Sequence, residues 1–189
     1  GQALVLQGDV SNPEDVEQAV RRIADEWGRL DVVFANAGVN GVWAPVEELP
    51  PEEWRKTVDI NLNGTFYTVH FAVPLLKRRG GAVVITSSIN GNRKFTSWGG
   101  SAYASTKAAQ VAFTKMTALE LAKHKIRVNA ICPGDIDTPM TDIGWQALNL
   151  TSEEIREKLK EHIPIGRVGR TEDIAAAAMF LASDAAGFV

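Results

Sequence analysis

Residues 82–91 read Ala-Val-Val-Ile-Thr-Ser-Ser-Ile-Asn-Gly, and this stretch decides the fold. The run 83–86 is short, largely apolar and rich in β-branched residues, which is typical of a strand buried on both faces of a parallel sheet. Ser87, Ser88 and Gly91 follow its carboxyl end. Ligands of open α/β sheets bind at the carboxyl ends of the strands, so these positions are candidates for a binding site.

Strand-like and helix-like segments alternate along the rest of the chain. We predict strands at residues 3–7, 31–35, 82–86 and 127–132. We predict helices at residues 13–27, 51–79, 101–124, 152–161 and 171–182, the second bent at 61–64 or at Pro74. This alternation indicates an α/β fold, with a doubly wound parallel sheet in a three-layer α/β/α arrangement. We see no domain boundary within residues 1–189 and predict a single domain.

Composition excludes several classes of partner. The 189 residues carry a formal net charge of −3, which offers no basic field for nucleic acid or for an acidic membrane. No apolar stretch is long enough to cross a bilayer. Cys132 is the one cysteine and ends an apolar run, so we expect a buried, inert thiol. A chain without a disulfide fits a reducing compartment, and we expect a cytoplasmic protein without a metal site.

Tyr103 and Lys107 lie four residues apart in a predicted helix and therefore share one of its faces. An ammonium ~4 Å from the phenol would favour the phenolate by roughly 4 kcal/mol at an effective dielectric constant near 20. That energy would lower the tyrosine pKa by about three units from its usual value of about 10. Such a phenol can protonate a carbonyl oxygen or deprotonate an alcohol. The same spacing is also common on helix surfaces without any function.

Several short motifs, in this order and spacing, make the chain resemble the short-chain dehydrogenase/reductase family, of the 3-oxoacyl-carrier-protein reductase type. The residues that carry the resemblance are Asp9-Val10, Asn36-Ala37-Gly38, Asn61, Ser88, Tyr103 with Lys107, Asn129, and Pro133-Gly134 followed by Thr138. The resemblance covers nearly the whole chain. It implies a Rossmann-like fold and hydride transfer between NAD or NADP and a carbonyl or secondary alcohol carbon.

The resemblance assigns the catalytic roles residue by residue. Ser88 matches the serine that polarises the substrate carbonyl, with Ser87 beside it as a rival. Tyr103 matches the proton donor, and Lys107 the lysine that tunes the phenol and contacts the nicotinamide ribose. Asn61 matches an asparagine that orders a water on a proton path to the lysine. A solvated or backbone-bonded asparagine is the alternative for Asn61.

The resemblance also assigns cofactor contacts beyond Tyr103 and Lys107. Asp9 and Val10 match positions at the adenine ring, although Asp9 could instead cap the following helix or turn. The turn at 36–38 matches the segment that approaches the cofactor, although a plain turn would look similar. The remaining matches fall in the segment that binds the nicotinamide carboxamide, and they are Pro133, Gly134, Ile136 and Thr138. For Thr138, a simple turn residue is the alternative.

The chain departs from the family pattern at both ends. The family opens with a strand, a glycine-rich turn, a helix and a second strand, whereas this chain begins at what resembles the third strand. The glycine-rich turn cradles the cofactor pyrophosphate at a helix N-terminus. We therefore expect an incomplete sheet, a segment 3–7 without its native neighbour, and weak cofactor binding by residues 1–189. The choice between NAD and NADP is not readable from this chain.

The substrate is open, with a 3-oxoacyl thioester or a sugar or polyol as the classes considered. Residues expected near it are Asn90, Asn92, Arg93, Phe95, Trp98, Asp135, Met140 and Trp145. The aromatic members suit an apolar or ring-shaped substrate, and they equally suit a packed lid formed by the long loop 133–150.

Two further functions remain open: a non-catalytic protein that binds a dinucleotide or a partner, and an inert fragment whose helices serve subunit contacts. The resemblance implies a homo-oligomer, a tetramer or a dimer, assembled through helices 65–79 and 101–123.

Overall fold

A computed structural model describes residues 1–93, 98–141 and 151–189. Along the chain these residues form α1 (Pro13–Trp27), β1 (Val32–Ala35), α2 (Pro51–Val58), a π-helical segment (Asp59–Asn63), α3 (Gly64–Leu76), β2 (Gly81–Thr86), α4 (Ser101–Leu121), β3 (Ile126–Ile131), α5 (Ser152–His162) and α6 (Thr171–Ala182). Three short 3₁₀ turns follow β2, α4 and α6 and span Ile89–Gly91, Ala122–His124 and Asp184–Ala186. No helix among the described residues is long and apolar enough to span a bilayer.

The strands form one parallel sheet in the order β1-β2-β3. Val83 of β2 pairs with Val33 of β1 on one side and with Val128 of β3 on the other. Helices α3 and α4 pack against the sheet, and α6 contacts β2 and β3. The main core cluster consists of Val33, Ala35, Val69, Ala72, Leu76, Val83, Ile85, Leu121, Ile126 and Val128. The structure confirms the predicted Rossmann-like α/β class with a parallel sheet.

The prediction of a strand at residues 3–7 is wrong, because the structure contains no strand before Val32. Val5 is 92% exposed. A strand is stabilised by a neighbouring backbone ladder and by burial of alternate side chains, and this segment has neither among the described residues.

The predicted helix 51–79 is divided into three pieces. A π-helical turn occupies Asp59–Asn63 and overlaps 61–64, one of the two positions where a bend is predicted. Pro74 lies inside α3 near its carboxyl end. Pro50 at the start of α2 makes no side-chain capping bond.

The face of β1 turned away from the main core is only partly covered. Val33 and Ala35 are buried, whereas Val32 and Phe34 between them are exposed. Alternate residues of a strand point to opposite faces, so this pattern shows one covered and one open face. Helix α6 covers the corresponding face of β2, where Ala82 and Val84 are buried.

Candidate active site

The carboxyl ends of the three strands are tied together by hydrogen bonds. The Thr86 hydroxyl at the end of β2 donates to Asn36 Oδ1 beyond β1 at 2.9 Å. Ser87 N donates to Ile131 O of β3 at 2.8 Å, and Ile89 N donates to Pro133 O at 2.9 Å. The loops that follow β1, β2 and β3 therefore meet at one edge of the sheet, which is the edge predicted for the site.

Lys107 is a buried cation at this edge. Its side chain extends from α4 and donates from Nζ to Thr86 O at 2.8 Å, and the residue is 4% exposed. Burial lowers the lysine pKa from its ordinary value to about 8, an effect opposed by the nearby Cys132. The pKa shift shows that the ammonium is poorly solvated in this structure.

The phenol of Tyr103 lies above Lys107 on the same face of α4. Lys107 Nζ is 5.6 Å from the centroid of the Tyr103 ring. Burial raises the pKa of Tyr103, and a hydrogen bond with the Ser88 side chain opposes that shift. The lowered phenol pKa expected from the Tyr–Lys spacing is therefore wrong for this structure. The Lys107 ammonium lies near the ring and donates to Thr86 O, and desolvation of the phenol is the largest influence on its pKa.

The two adjacent serines have different partners. Ser87 Oγ donates to Lys107 O at 2.7 Å, which commits this hydroxyl to the backbone of α4. Ser88 begins the 3₁₀ turn Ile89–Gly91, where its Oγ accepts from Asn90 N at 3.2 Å, and its side chain is near enough to the Tyr103 phenol to lower the pKa of that group. The geometry thus favours Ser88 over its rival as the serine that acts with Tyr103.

Gly91 explains how this turn comes so close to α4. A Cβ at Gly91 would lie 2.6 Å from Lys107 C and O. Any side chain would push the turn away from the helix, and Ser88 would move with it.

Asn61 is fully buried and bonded to backbone, so the solvated alternative is excluded. Its Oδ1 accepts from Val39 N at 2.8 Å, and its Nδ2 donates to Val39 O at 2.9 Å and to Thr106 Oγ1 at 3.2 Å. A Cβ on Gly38 would lie 3.2 Å from Asn61 Oδ1 and 3.5 Å from Lys107 Nζ. Gly38 is therefore suited to close approach, and it does not adopt a positive φ.

Asp9, which is predicted to lie at the adenine ring, takes part in a small network of hydrogen bonds. Its Oδ1 accepts from Ser11 N at 2.8 Å and from Ser11 Oγ at 2.7 Å, which lowers the pKa of Asp9. Asp9 N donates to Asp15 Oδ2 at 2.8 Å. These bonds fit the turn-capping alternative, and the adenine role of Asp9 stays a prediction. Val10 packs on Gly64, where an added Cβ would come within 2.9 Å of Val10 Cγ2.

The segment after β3 carries the predicted carboxamide contacts. Ile136 forms a bridge with Gly169, and Asp137 N donates to Gly169 O at 2.8 Å. The Thr138 hydroxyl makes a long bond of 3.4 Å to Ile136 O, and Gly134 faces open space where a Cβ would meet nothing. Asn129, which also carried the resemblance, donates from Nδ2 to Val189 O.

A cavity of about 240 Å³ opens beside the Tyr103 phenol. Its lining consists of Trp43, Asn90, Gly99, Gly100, Ser101, Tyr103 and Ala104. Of the residues predicted near the substrate, Asn90 lines it. Trp98, Asp135 and Met140 do not line it, and Phe95 and Trp145 lie outside the described residues. Asn92 and Arg93 are exposed.

Sequence reasoning missed Trp43, Thr106 and Gln110. Trp43 reaches the cavity because Ala44 N donates to Gly99 O at 3.1 Å, a contact between residues distant in sequence. The polar side chains on the buried face of α4 were a visible signal, since they recur at helical spacing. They are Thr106, Gln110, Thr114 and Thr117.

The site suits the nicotinamide and ribose half of a dinucleotide. The Lys107 ammonium can donate further hydrogen bonds besides the one to Thr86 O, and Gly38 leaves space next to its Nζ. Tyr103 lines the cavity at this edge, and Ser88 lies next to its phenol. The pyrophosphate half has no glycine-rich turn among residues 1–189. No cluster of metal-binding side chains occurs among the residues that the structure describes.

Comparisons with known proteins agree with this geometry. A family profile described as enoyl-(acyl carrier protein) reductase matches residues 1–189. Cyclohexanol dehydrogenase of Acinetobacter sp. (strain SE19) is 38% identical over 190 residues, which cover 100% of this chain and 71% of that protein. A 3-oxoacyl-[acyl-carrier-protein] reductase of Thermotoga maritima is 35% identical, over 96% of this chain and 70% of that protein.

A solved structure extends the agreement to three dimensions. The crystal structure of a 3-ketoacyl-ACP reductase from Sinorhizobium meliloti 1021 superposes with a TM-score of 0.87 at 48% identity, covering 100% of this chain and 75% of that one. The fold, the ordered motifs and these matches together show that the chain belongs to the short-chain dehydrogenase/reductase family of oxidoreductases.

Proposed function

We propose that the full-length gene product interconverts a carbonyl and a secondary alcohol with NAD or NADP, using Ser88, Tyr103 and Lys107. The observation that carries this proposal is that the Tyr103 phenol lies close enough to the Ser88 side chain for its pKa to be influenced by it, with Lys107 buried below the ring at the carboxyl edge of the sheet. In this arrangement the hydroxyl groups of Ser88 and Tyr103 can bond the same substrate oxygen, and the Lys107 cation lies beneath them. Donors placed in this way polarise a carbonyl group.

Each side chain has a distinct part in the reaction. The nicotinamide cofactor supplies or accepts the hydride when bound. The Ser88 hydroxyl donates to the substrate oxygen and orients it, while Tyr103 gives that oxygen a proton in reduction and removes it in oxidation. The Lys107 ammonium holds the ribose and stabilises negative charge on the phenol as the proton leaves. Asn61 keeps the 36–39 turn and the helix that bears Tyr103 at a fixed separation.

The cavity supports a compact substrate. Trp43 offers an indole face, and Gly99, Gly100 and Ala104 leave space opposite the phenol. A cyclic or short-chain secondary alcohol would fill about 240 Å³ without strain. Two reported relatives act, by name, on cyclohexanol and on a 3-oxoacyl thioester, and both classes belong in a test.

Spectrophotometry of the full-length gene product tests the proposal. NADH or NADPH oxidation is followed with cyclohexanone, a 3-oxoacyl thioester and an open-chain sugar ketone, and the reverse reaction with the corresponding alcohols. We expect turnover with at least one pair and none above background in Tyr103→Phe. Equal rates in both proteins would contradict the assignment.

The alternative is a non-catalytic dinucleotide-binding or oligomerisation fragment. The absence of a glycine-rich turn within residues 1–189 favours it for this chain taken alone. Saturable NAD(P)H binding without turnover of any substrate would support the binding role, and no binding at all would support the oligomerisation role.

We also propose a cytoplasmic homo-oligomer, a tetramer or a dimer, formed through α3 and α4. Exposed apolar side chains on these helices include Phe66, Met116 and Leu119, the last of which is 76% exposed. Apolar surface of this kind is stabilised by contact with a partner. Light scattering that shows only monomer at micromolar concentration would contradict this assembly.

A further inference from the structure

Gln110 is a fully buried polar residue close to the site. It lies in α4, three residues beyond Lys107, and is 0% exposed. A buried amide is destabilising unless its polar atoms are hydrogen-bonded. The contacts of this side chain therefore indicate why a glutamine is accommodated in the core.

The Gln110 amide completes a triangle of hydrogen bonds. Its Nε2 donates to Asn61 O at 2.7 Å and to Thr65 Oγ1 at 2.7 Å. The Thr65 hydroxyl also donates to Asn61 O at 2.7 Å. Asn61 O thus accepts from two side chains, which accounts for both of its lone pairs.

The Asn61 carbonyl lies in an irregular part of the helical backbone. Asn61 lies in the π-helical segment Asp59–Asn63, where the backbone departs from the α-helical hydrogen-bond register. Two side chains, Thr65 and Gln110, bond the Asn61 carbonyl in this segment. Gln110 donates to the Asn61 carbonyl from α4 and so joins the π-helical segment to that helix.

The other end of Asn61 reaches the reaction site. Its amide bonds both the N–H and the carbonyl of Val39, immediately after the turn at 36–38, and it donates to Thr106 Oγ1. Thr106 in turn donates to Tyr103 O at 2.8 Å. A displacement of Asn61 would therefore shift both the turn beside Lys107 and the helical turn that bears Tyr103.

We propose that Gln110 is a positioning residue of the active site, which acts by holding the carbonyl of Asn61. The role rests on the proposed function, because it concerns the geometry of that same site. Gln110 follows Lys107 by three residues, but its side-chain hydrogen bonds go to Asn61 and Thr65, so its effect on the site passes through Asn61. The unpartnered Gln110 Oε1 among the described residues shows that the donor end of the amide makes the contacts.

Two variants of the full-length gene product separate positioning from simple packing. Gln110→Met keeps the length and burial of the side chain and removes both hydrogen bonds. Thr117→Val is the matched control, since Thr117 is also buried in α4 and its hydroxyl bonds only backbone carbonyls of its own helix. Melting temperature, kcat, KM for substrate and the Kd of NADH and NADPH are measured for each.

We expect both variants to lower the melting temperature and only Gln110→Met to change the kinetics. Its kcat should fall by at least about tenfold, because small displacements of reacting groups are sufficient for such losses. Its NAD(P)H Kd should rise several-fold as the 36–39 turn shifts, while the substrate KM changes less. A Gln110→Met protein with lowered melting temperature and wild-type kcat and Kd would overturn the proposal.

Gln110→Glu supplies a second, pH-dependent test that remains useful if Gln110→Met fails to fold. A neutral carboxyl can donate to Asn61 O, whereas a carboxylate can only repel that oxygen. Burial raises a carboxyl pKa above its usual value of about 4.3. We expect kcat near the wild-type value at low pH and a progressive loss relative to wild type as pH rises. A constant ratio across the pH range would overturn the proposal.

The measurements also distinguish this proposal from the proposed function. A wild-type protein that turns over no substrate contradicts the function, and the NAD(P)H affinities of wild type and Gln110→Met still decide whether Gln110 positions the site. Turnover by the wild type with unchanged kinetics in the variants contradicts only the role of Gln110.

Discussion

Lys107 Nζ donates a hydrogen bond to Thr86 O at 2.8 Å, which joins α4 to the end of β2. Lys107 is 4% exposed at this position, and burial lowers the pKa of its ammonium group to about 8. Because the folded state disfavours the protonated lysine, the residue opposes folding at neutral pH. The buried position of Lys107 in the candidate site therefore lowers the stability of the folded protein at neutral pH.

Lys107→Met should stabilise the full-length gene product at pH 7. A lysine pKa of about 8 in the folded state, below its ordinary 10.5, means that the unfolded chain binds more protons between these values. Wild-type stability should consequently rise with pH across that window, by roughly 3 kcal/mol in total. Urea unfolding at several pH values checks this, with Lys115→Met, an exposed lysine of the same helix, as the control. Parallel curves for wild type and Lys107→Met would refute the effect of burial.

Tyr103→Phe should abolish turnover and leave cofactor affinity nearly unchanged, because the phenol proton is needed for the chemistry alone. General acid–base groups typically contribute 10²–10⁴-fold to the rate, which is roughly 3–5 kcal/mol. Steady-state kinetics and fluorescence titration with NAD(P)H measure the two quantities. Tyr67→Phe, which changes the other tyrosine, should behave as wild type. A Tyr103→Phe enzyme that keeps more than about a tenth of wild-type kcat would be incompatible with the assignment.

Trp43→Ala should alter substrate preference without altering the cofactor KM. The indole forms one wall of the cavity beside Tyr103, and its removal should favour bulky substrates over compact ones. We expect the ratio of kcat/KM for a large and a small ketone to change by about tenfold or more. Trp54→Ala is the control, because Trp54 has the same 38% exposure and lies outside the cavity lining. Equal changes in the two variants would show that Trp43 has no specific role.

Residues 1–189 alone should bind NAD(H) and NADP(H) weakly. The contacts predicted for these residues are to adenine, ribose and nicotinamide, and residues 1–189 contain no glycine-rich turn for the pyrophosphate. Charge-assisted contacts contribute about 1.5–3 kcal/mol each, so the loss of several should raise Kd by two to three orders of magnitude. Isothermal titration of the 189-residue chain measures this. A Kd below ~10 µM, or about −7 kcal/mol, would mean that other residues hold the pyrophosphate.

Local sequence was sufficient for most helices and strands. The helices Pro13–Trp27 and Thr171–Ala182 have the predicted bounds, and β1, β2 and β3 begin or end within one residue of their predictions. Periodicity and capping residues act over a few neighbouring positions, so they are readable from the chain itself. The prediction of a strand at 3–7 failed because a short apolar run cannot show whether a neighbouring strand is there to pair with it.

The sequence by itself also determined that Tyr103 and Lys107 share a helix face, since an i, i+4 spacing is a local property. Only the tertiary structure distinguishes the surroundings of Ser87 and Ser88, because the Ser87 hydroxyl bonds the backbone of α4 and the Ser88 side chain lies near the phenol. The direction of the Tyr103 pKa shift was likewise decided by burial, a property of the packed core. The link from Gln110 to Asn61 joins residues 49 positions apart, and no local pattern specifies such a contact.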